Sequence, residues 1–224
     1  MPSMYKFSLD RRQLLTGLSG AVLSCTLPLQ ASAQTKTPAT IRILVVGDSL
    51  SAEYGLPRRT GWVSLLSQKL IQIFPGAEII NASISGDTTS GGRTRLAALL
   101  SRHAPQIVII ELGGNDALRG LALSMSQDNL TRMVEQSQQA GAQVILVGMQ
   151  IPPNYGREYA TSFKNMFSTI SESKKTALVP FLLEGVGPQN EMFQSDGIHP
   201  NESAQPIMME TVLKVLLPVL KNLN

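Results

Sequence analysis

Ile41-Arg42-Ile43-Leu44-Val45-Val46-Gly47-Asp48-Ser49-Leu50-Ser51 is a short β-rich run that ends at a glycine and continues into a polar turn. A buried strand has this form: an aliphatic run without strict alternation, then a residue that lets the chain turn sharply. Downstream, Trp62, Leu66, Leu70 and Ile73 recur at helical spacing until Pro75-Gly76 stops the helix. Glu78-Ile79-Ile80-Asn81 reads as a second strand, and Leu96, Leu99 and Leu100 mark a helix after the Gly91-Gly92 pair. Ile107-Val108-Ile109-Ile110-Glu111 is the clearest strand in the chain. A helix over 126–140 closes at Gly141 and is followed by a strand over 143–148. Tyr159, Phe163, Met166, Phe167 and Ile170 line one helical face, and 177–181 is a fifth strand. Ile207, Met208, Val212, Val215, Leu216 and Val219 form a last helix, with Pro206 in its first turn. This alternation predicts a parallel sheet covered on both faces, in one α/β domain. In such folds the ligand crevice lies outside the carboxyl ends of the strands.

Composition narrows the function. The 224 residues suffice for one domain with a proper core and are few for two. Hydrophobic residues at 43% and charged residues at 16% exclude a disordered polyelectrolyte. Aromatics at 5% offer little for stacking on bases. Of the net charge of +3, residues 1–33 carry +2 through Lys6, Arg11 and Arg12 against Asp10, leaving +1 for the rest. No nucleic-acid partner is implied.

The amino terminus reads as an address. Ser8-Leu9-Asp10-Arg11-Arg12-Gln13-Leu14-Leu15 sets twin arginines before a mildly apolar stretch, and Ala31-Ser32-Ala33 supplies small residues for cleavage. Residues 1–33 are therefore expected to be a signal peptide of twin-arginine type, with the folded domain over 34–224. Gly, Ser, Thr and Pro interrupt the stretch between Gln13 and Gln30, whereas a permanent membrane anchor, the alternative, wants ~20 mostly apolar residues. The single cysteine, Cys25, lies in this segment, and Val22-Leu23-Ser24-Cys25 resembles a lipoprotein box only loosely, Leu23 being bulky for its place. Cleavage after Ala33 leaves a chain without disulfide, thiol nucleophile or thiolate metal site. The expected destination is the periplasm or the exterior.

Four predicted strand ends carry polar residues suited to chemistry. Gly47-Asp48-Ser49-Leu50-Ser51 puts a serine hydroxyl at the edge of the sheet, although Asp and Ser also cap helices. The pentapeptide is not Gly-x-Ser-x-Gly, so the nucleophile-elbow argument does not transfer. Near the carboxyl terminus stands Asp196-Gly197-Ile198-His199-Pro200. A serine hydroxyl needs a base, imidazole is the natural one, and an Asp three residues earlier can fold back to orient it. The chain has two histidines, and His103, before Ala104-Pro105, reads as a helix-end residue at the opposite edge. Asp196 and His199 lack the partners that a metal site would need, so none is expected. Ser85-Gly86-Asp87-Thr88 and Gly113-Gly114-Asn115-Asp116 are either ordinary β-turns or sources of fixed donors. In the second reading the Gly86 N–H and the Asn115 amide face the oxygen that becomes negative during acyl transfer.

Ser49, Gly86, Asn115 and His199 occur in the order and contexts of the four blocks of the SGNH (GDSL-type) hydrolases. Asn81-Ala82-Ser83-Ile84-Ser85-Gly86-Asp87-Thr88, Glu111-Leu112-Gly113-Gly114-Asn115-Asp116, Leu118-Arg119-Gly120 and Asp196-Gly197-Ile198-His199-Pro200-Asn201 resemble the periplasmic thioesterase/lysophospholipase/arylesterase group of that family. The similarity runs from about Ile41 to Leu217. It implies a flavodoxin-like three-layer α/β sandwich with a five-stranded parallel sheet and a serine esterase that needs no cofactor. By the same carry-over Ser49 is the nucleophile, His199 the base and Asp196 its orienting carboxylate, and the Ser49 N–H, Gly86 N–H and Asn115 side chain form the oxyanion hole. Glu53 stands where many relatives have glycine, and Met149-Gln150-Ile151-Pro152-Pro153 differs from relatives beside the acyl groove. Both departures bear on chain-length preference rather than on the chemistry.

The expected substrate is a small-molecule acyl ester: an aryl ester, a lysophospholipid or an acyl thioester, cleaved by a monomer in transient contact with lipid. Leu112, Leu118, Leu121, Ile151 and Pro152 are expected to line an apolar groove for the acyl chain. Two alternatives are a deacetylase of polysaccharides or small molecules on the same fold, and a non-catalytic module gripping phosphate on loop N–H groups. The Asp196/His199 pair argues against the second, because phosphate binding does not require it.

Overall fold

A computed structural model describes residues 40–187 and 189–223, which belong to a compact unit spanning Thr37–Asn224. The leader expected over 1–33, with its twin arginines and Cys25, lies outside the described residues.

Strands β1 (Ile41–Gly47), β2 (Ala77–Asn81), β3 (Ile107–Glu111), β4 (Gln143–Val147) and β5 (Ala177–Val179) form one parallel sheet in the order β2-β1-β3-β4-β5. Every residue of β3 is buried, as is most of β1, and this explains their unbroken aliphatic runs. β2 lies at an edge and is only half-buried. The helices are α1 (Trp62–Ile73), α2 (Thr89–His103), the short α3 (Gly114–Leu118), α4 (Leu123–Gln139), α5 (Arg157–Lys174) and α6 (Gln205–Lys221). α1 packs on α6, while α2 packs on α4 and α4 on α5. Right-handed crossovers put these two groups on opposite faces, because the chain steps one way from β1 to β2 and the other way from β2 to β3. The result is the parallel sheet covered on both faces that the sequence pattern predicts, in the three-layer, flavodoxin-like form that the resemblance implies. Its strand order reverses between β1 and β3, so the crevice opens between the loops leaving those two strands.

Several boundaries differ from the sequence reading, α4 opening at Leu123 rather than 126 and β4 ending at Val147 rather than 148. α2 starts at Thr89, before the glycine pair, because the Thr88 side chain accepts the Gly91 N–H at 3.2 Å. Gly92 within that helix leaves room for Leu112 and Met133, which a side chain there would strike. β5 stops at Val179 because Pro180, which follows, has no N–H to extend the ladder. Gly113-Gly114-Asn115-Asp116 is not a plain turn: Gly113, at φ 118°, redirects the chain and α3 begins at once. His103 is the last residue of α2, and its carbonyl accepts Arg42 Nε at 2.6 Å beneath the amino-terminal end of β1.

Candidate active site

The turn after β1 is organised by Asp48. Its Oδ1 accepts the Leu50 N–H at 3.0 Å and its carbonyl accepts the Ala52 N–H at 3.0 Å, so Ser49 sits at the crest. From the other end of the chain, 193–200 folds back on itself: Gln194 N donates to His199 O at 2.8 Å, and Gly197 takes φ 67°. Gln194 Nε2 donates to the Tyr54 carbonyl at 2.9 Å and ties this loop to the one that carries Ser49.

Within that hairpin Asp196 Oδ1 accepts the N–H groups of Ile198 and His199 at 2.9 and 3.0 Å. Its Oδ2 lies 2.7 Å from His199 Nδ1, and His199 Nε2 lies 2.9 Å from Ser49 Oγ. The backbone N–H of His199, then its ring, then the Ile198 N–H hold the Asp196 carboxyl down to about 2. An ionised Asp196 requires a proton on Nδ1, which leaves the Nε2 lone pair facing the hydroxyl. The Tyr54 ring lies against the imidazole at 4.5 Å between centroids.

Gly86 and Asn115 stand beside this series. Gly86 takes φ 79°, open to glycine, and its carbonyl accepts Arg119 Nη2 at 3.1 Å. Arg95 fastens the loop, donating from Nε to Asp87 Oδ2 at 2.8 Å and from its terminal nitrogens to the carbonyls of Ala82 and Gly47. Asn115 Nδ2 donates to Asp87 O at 3.0 Å and to Asp48 Oδ2 at 3.1 Å, which places its amide between the first and second strand exits. Its neighbour Asp116 is buried and accepts the N–H and hydroxyl of Thr89 and the hydroxyl of Ser126, pinning α3 to α2 and α4. All five residues that the motifs single out are thus brought to one edge of the sheet.

Two buried acids beneath them escaped the sequence reading. Asp48 and Glu111 are 2% and 1% exposed. Burial raises Asp48 to about 6 against the hydrogen bonds it accepts. Burial, reinforced by the Asp48 charge, pushes Glu111 well above the usual carboxylate range. A strand-end acid carries no signal of this in sequence, because the register Gly47↔Glu111 is needed to see it.

A groove of about 830 Å³ reaches Gly114, next to Asn115, and Gly197 and Ile198, next to His199, and is lined by Leu118, Ile151 and Pro152, with Met149, Phe181 and Phe193 among the further walls. Leu118, Ile151 and Pro152, which the sequence reading names, are on its walls. Leu112 is not: it is 1% exposed and packs toward Gly92 and Met133, because the pleat carried on from β3 turns it to the α2/α4 face. Leu121 is 40% exposed and lies outside the groove, its carbonyl accepting the Tyr159 hydroxyl at 2.7 Å. Ile198 was within reach of sequence reasoning, since it adjoins His199. Phe181 and Phe193 come from remote loops and give no local sign. Among the described residues no three His, Cys, Asp or Glu side chains gather as metal ligands would.

A hydroxyl facing an imidazole nitrogen, close to an apolar trough, suits the hydrolysis of carboxylic esters, and this chain is a carboxylic ester hydrolase built on a parallel α/β sandwich. Comparison with known proteins supplies the family: residues 45–205 match the GDSL-like lipase/acylhydrolase model, and the chain belongs to that family, the SGNH hydrolases. It is 48% identical over 203 residues to the esterase TesA of Pseudomonas aeruginosa, covering 91% of this chain and 98% of that one. To the thioesterase 1/protease 1/lysophospholipase L1 of Escherichia coli K12 it is 36% identical over 187 residues, 84% of this chain and 88% of that one. The crystal structure of the psychrotrophic esterase EstA from Pseudoalteromonas sp., inhibited by monoethylphosphonate, superposes with a TM-score of 0.77 at 41% identity, over 80% of this chain and 98% of that one.

Proposed function

We propose that Ser49 is the nucleophile of an esterase for medium- to long-chain acyl esters, with His199 as general base and Asp196 as its orienting carboxylate. The observation that carries this reading is the 2.9 Å contact between Ser49 Oγ and His199 Nε2 beside the apolar groove. Ser49 Oγ bonds to the acyl carbon, its proton passes to His199 Nε2, and the carbonyl electron pair moves onto oxygen. The oxyanion is met by the N–H groups of Ser49 and Gly86 and by the Asn115 amide, which shares the hydrogen now directed at the Asp87 carbonyl. Collapse breaks the bond to the leaving alcohol or thiol, which takes the proton from His199. Water then attacks the acyl-serine, delivering its proton to the same nitrogen, and the carboxylic acid departs as Ser49 is restored.

The groove, with Leu118, Ile151 and Pro152 on its walls, holds the acyl tail. Aryl esters, lysophospholipids and acyl thioesters all present such a tail, and the lysophospholipase name of a relative accords with a lipid source. An apolar trough of about 830 Å³ is more than an acetyl group needs, so a deacetylase is the less favoured reading. The enzyme acts as a monomer after export, residues 1–33 being removed as a leader.

Labelling by a fluorophosphonate carrying an octyl chain tests the assignment. One equivalent is expected on Ser49, together with loss of labelling and of p-nitrophenyl octanoate turnover in Ser49→Ala. Parental turnover in that variant would refute the nucleophile. The amino-terminal residue of the exported protein, expected to be Gln34, tests the leader.

A further inference from the structure

We infer that Glu111 is a positioning residue for ester cleavage, holding the turn that presents Ser49 through the Ser51 hydroxyl and the Asp48 backbone N–H. This rests on the reading of Ser49 as nucleophile and Asn115 as a donor to the oxyanion. Parallel register sets Glu111 beside Gly47, the last residue of β1, so that its side chain reaches beneath the turn that follows. Oε2 accepts the Ser51 hydroxyl at 2.7 Å and the Asp48 N–H at 3.3 Å. The site exists because residue 47 has no side chain: a Cβ there would stand 2.7 Å from Ser51 Oγ and 2.9 Å from Glu111 Oε2.

From this one carboxyl the ties spread to each neighbouring loop. The Ser51 carbonyl accepts Asn81 Nδ2 at 2.8 Å, joining the turn to the end of β2. Asp48, fixed through its N–H, accepts the Asn115 amide at 3.1 Å and the Leu50 N–H at 3.0 Å. Packing alone gives no reason for an acid here, since Glu111 is 1% exposed and its Oε1 meets no hydrogen-bonding partner among the described residues. Burial and the adjacent Asp48 favour the uncharged acid at this position, which leaves Asp48 as the charge that Asn115 meets.

The test compares Glu111→Leu, Glu111→Gln and Ser51→Ala in the mature chain, assayed with p-nitrophenyl octanoate below the unfolding temperature. Affinity for an octyl boronic acid, which forms a tetrahedral adduct on serine, is the second readout. Misplacement of reacting groups lowers turnover more than binding, so Glu111→Leu is expected to lose about 10- to 100-fold in kcat with KM within about threefold. Boronic acid affinity should fall in parallel. Glutamine keeps a carbonyl oxygen for both donors and should restore kcat to within about fivefold of the parent. Ser51→Ala, the milder change, should lose about tenfold in kcat. Parental kcat in folded Glu111→Leu or in Ser51→Ala overturns the inference, as does a loss confined to KM, or a Glu111→Gln variant as impaired as Glu111→Leu. Turnover that survives in Ser49→Ala instead overturns the underlying reading of the site.

Discussion

His199 Nε2 lies 2.9 Å from Ser49 Oγ across a sequence separation of 150 residues, and Gln194 Nε2, bonded to the Tyr54 carbonyl at 2.9 Å, helps to hold the two loops in register. Removing the imidazole in His199→Ala should lower kcat/KM by about 10³-fold or more, and loosening the tie in Gln194→Ala by about tenfold. Asp196, held to about 2, stays ionised above pH ~4 and contributes no acid limb to the rate there. Rates on p-nitrophenyl octanoate from pH 4 to 9 check each point.

The buried acids make stability depend on pH in the opposite sense to an ordinary ion pair. Asp48 ionises near 6 in the folded chain against 3.8 for a free side chain, and Glu111 is raised in the same direction. Between these values the folded state holds protons that the unfolded chain has released, so stability declines as pH rises from about 4 to 6. Asp48→Asn should flatten this limb and gain relative to the parent at pH 8. Urea titrations at pH 4, 6 and 8 decide it; a parent whose stability rises across that interval contradicts the assignment.

Groove and core make separate demands on neighbouring leucines. Leu118→Trp or Ile151→Trp should shorten the trough and reduce kcat/KM for octanoyl and longer esters by about tenfold or more, sparing the acetyl ester. Leu112→Ala removes a buried side chain and should cost about 2–5 kcal/mol in stability, with chain-length preference unchanged. A panel of p-nitrophenyl esters together with thermal melts separates the two effects.

Glu53 occupies a left-handed conformation at φ 60°, which accounts for the glycine expected at this place in relatives. Its carboxylate offsets the strain by accepting the N–H groups of Arg59 and Gly61, each at 3.0 Å, and the Ser64 hydroxyl at 2.6 Å. Burial pulls its ionisation upward, but the bonds from Ser64, Arg59 and Gly61 outweigh it and hold the carboxyl below its usual value. Glu53→Ala, losing the bonds and keeping the strain, should destabilise by about 2 kcal/mol, and Glu53→Gly by less. Because this carboxyl is depressed, its contribution is present above its unfolded value of about 4.5 and fades on acidification. The gap between parent and Glu53→Ala measured by urea unfolding should accordingly narrow below pH 4.

The strands and the loops after β1, β2 and β3 are legible in sequence because the motifs holding Ser49, Gly86 and Asn115 closely follow aliphatic runs, whereas His199 stands well past β5 and is assigned to the same sheet edge by its motif rather than by a strand before it. Leu112 was misjudged because it sits one residue past β3, where only the pleat decides which face a side chain takes. Glu111 looks like the polar end of a strand until β1 and β3 are aligned. Phe181 and Phe193 reach the groove from after β5, and no local pattern announces such convergence.

Most of the trough is built by residues after β4 and β5, such as Met149, Ile151, Pro152 and Phe181, while Ser49, Gly86 and Asn115 follow β1, β2 and β3. Gly114, Gly197 and Ile198 are where the two sets touch. Directed evolution can therefore treat the connection after β4 as an interchangeable cassette, diversifying what the enzyme accepts, whereas the connection after β5 also carries Asp196 and His199 and tolerates exchange only ahead of that hairpin.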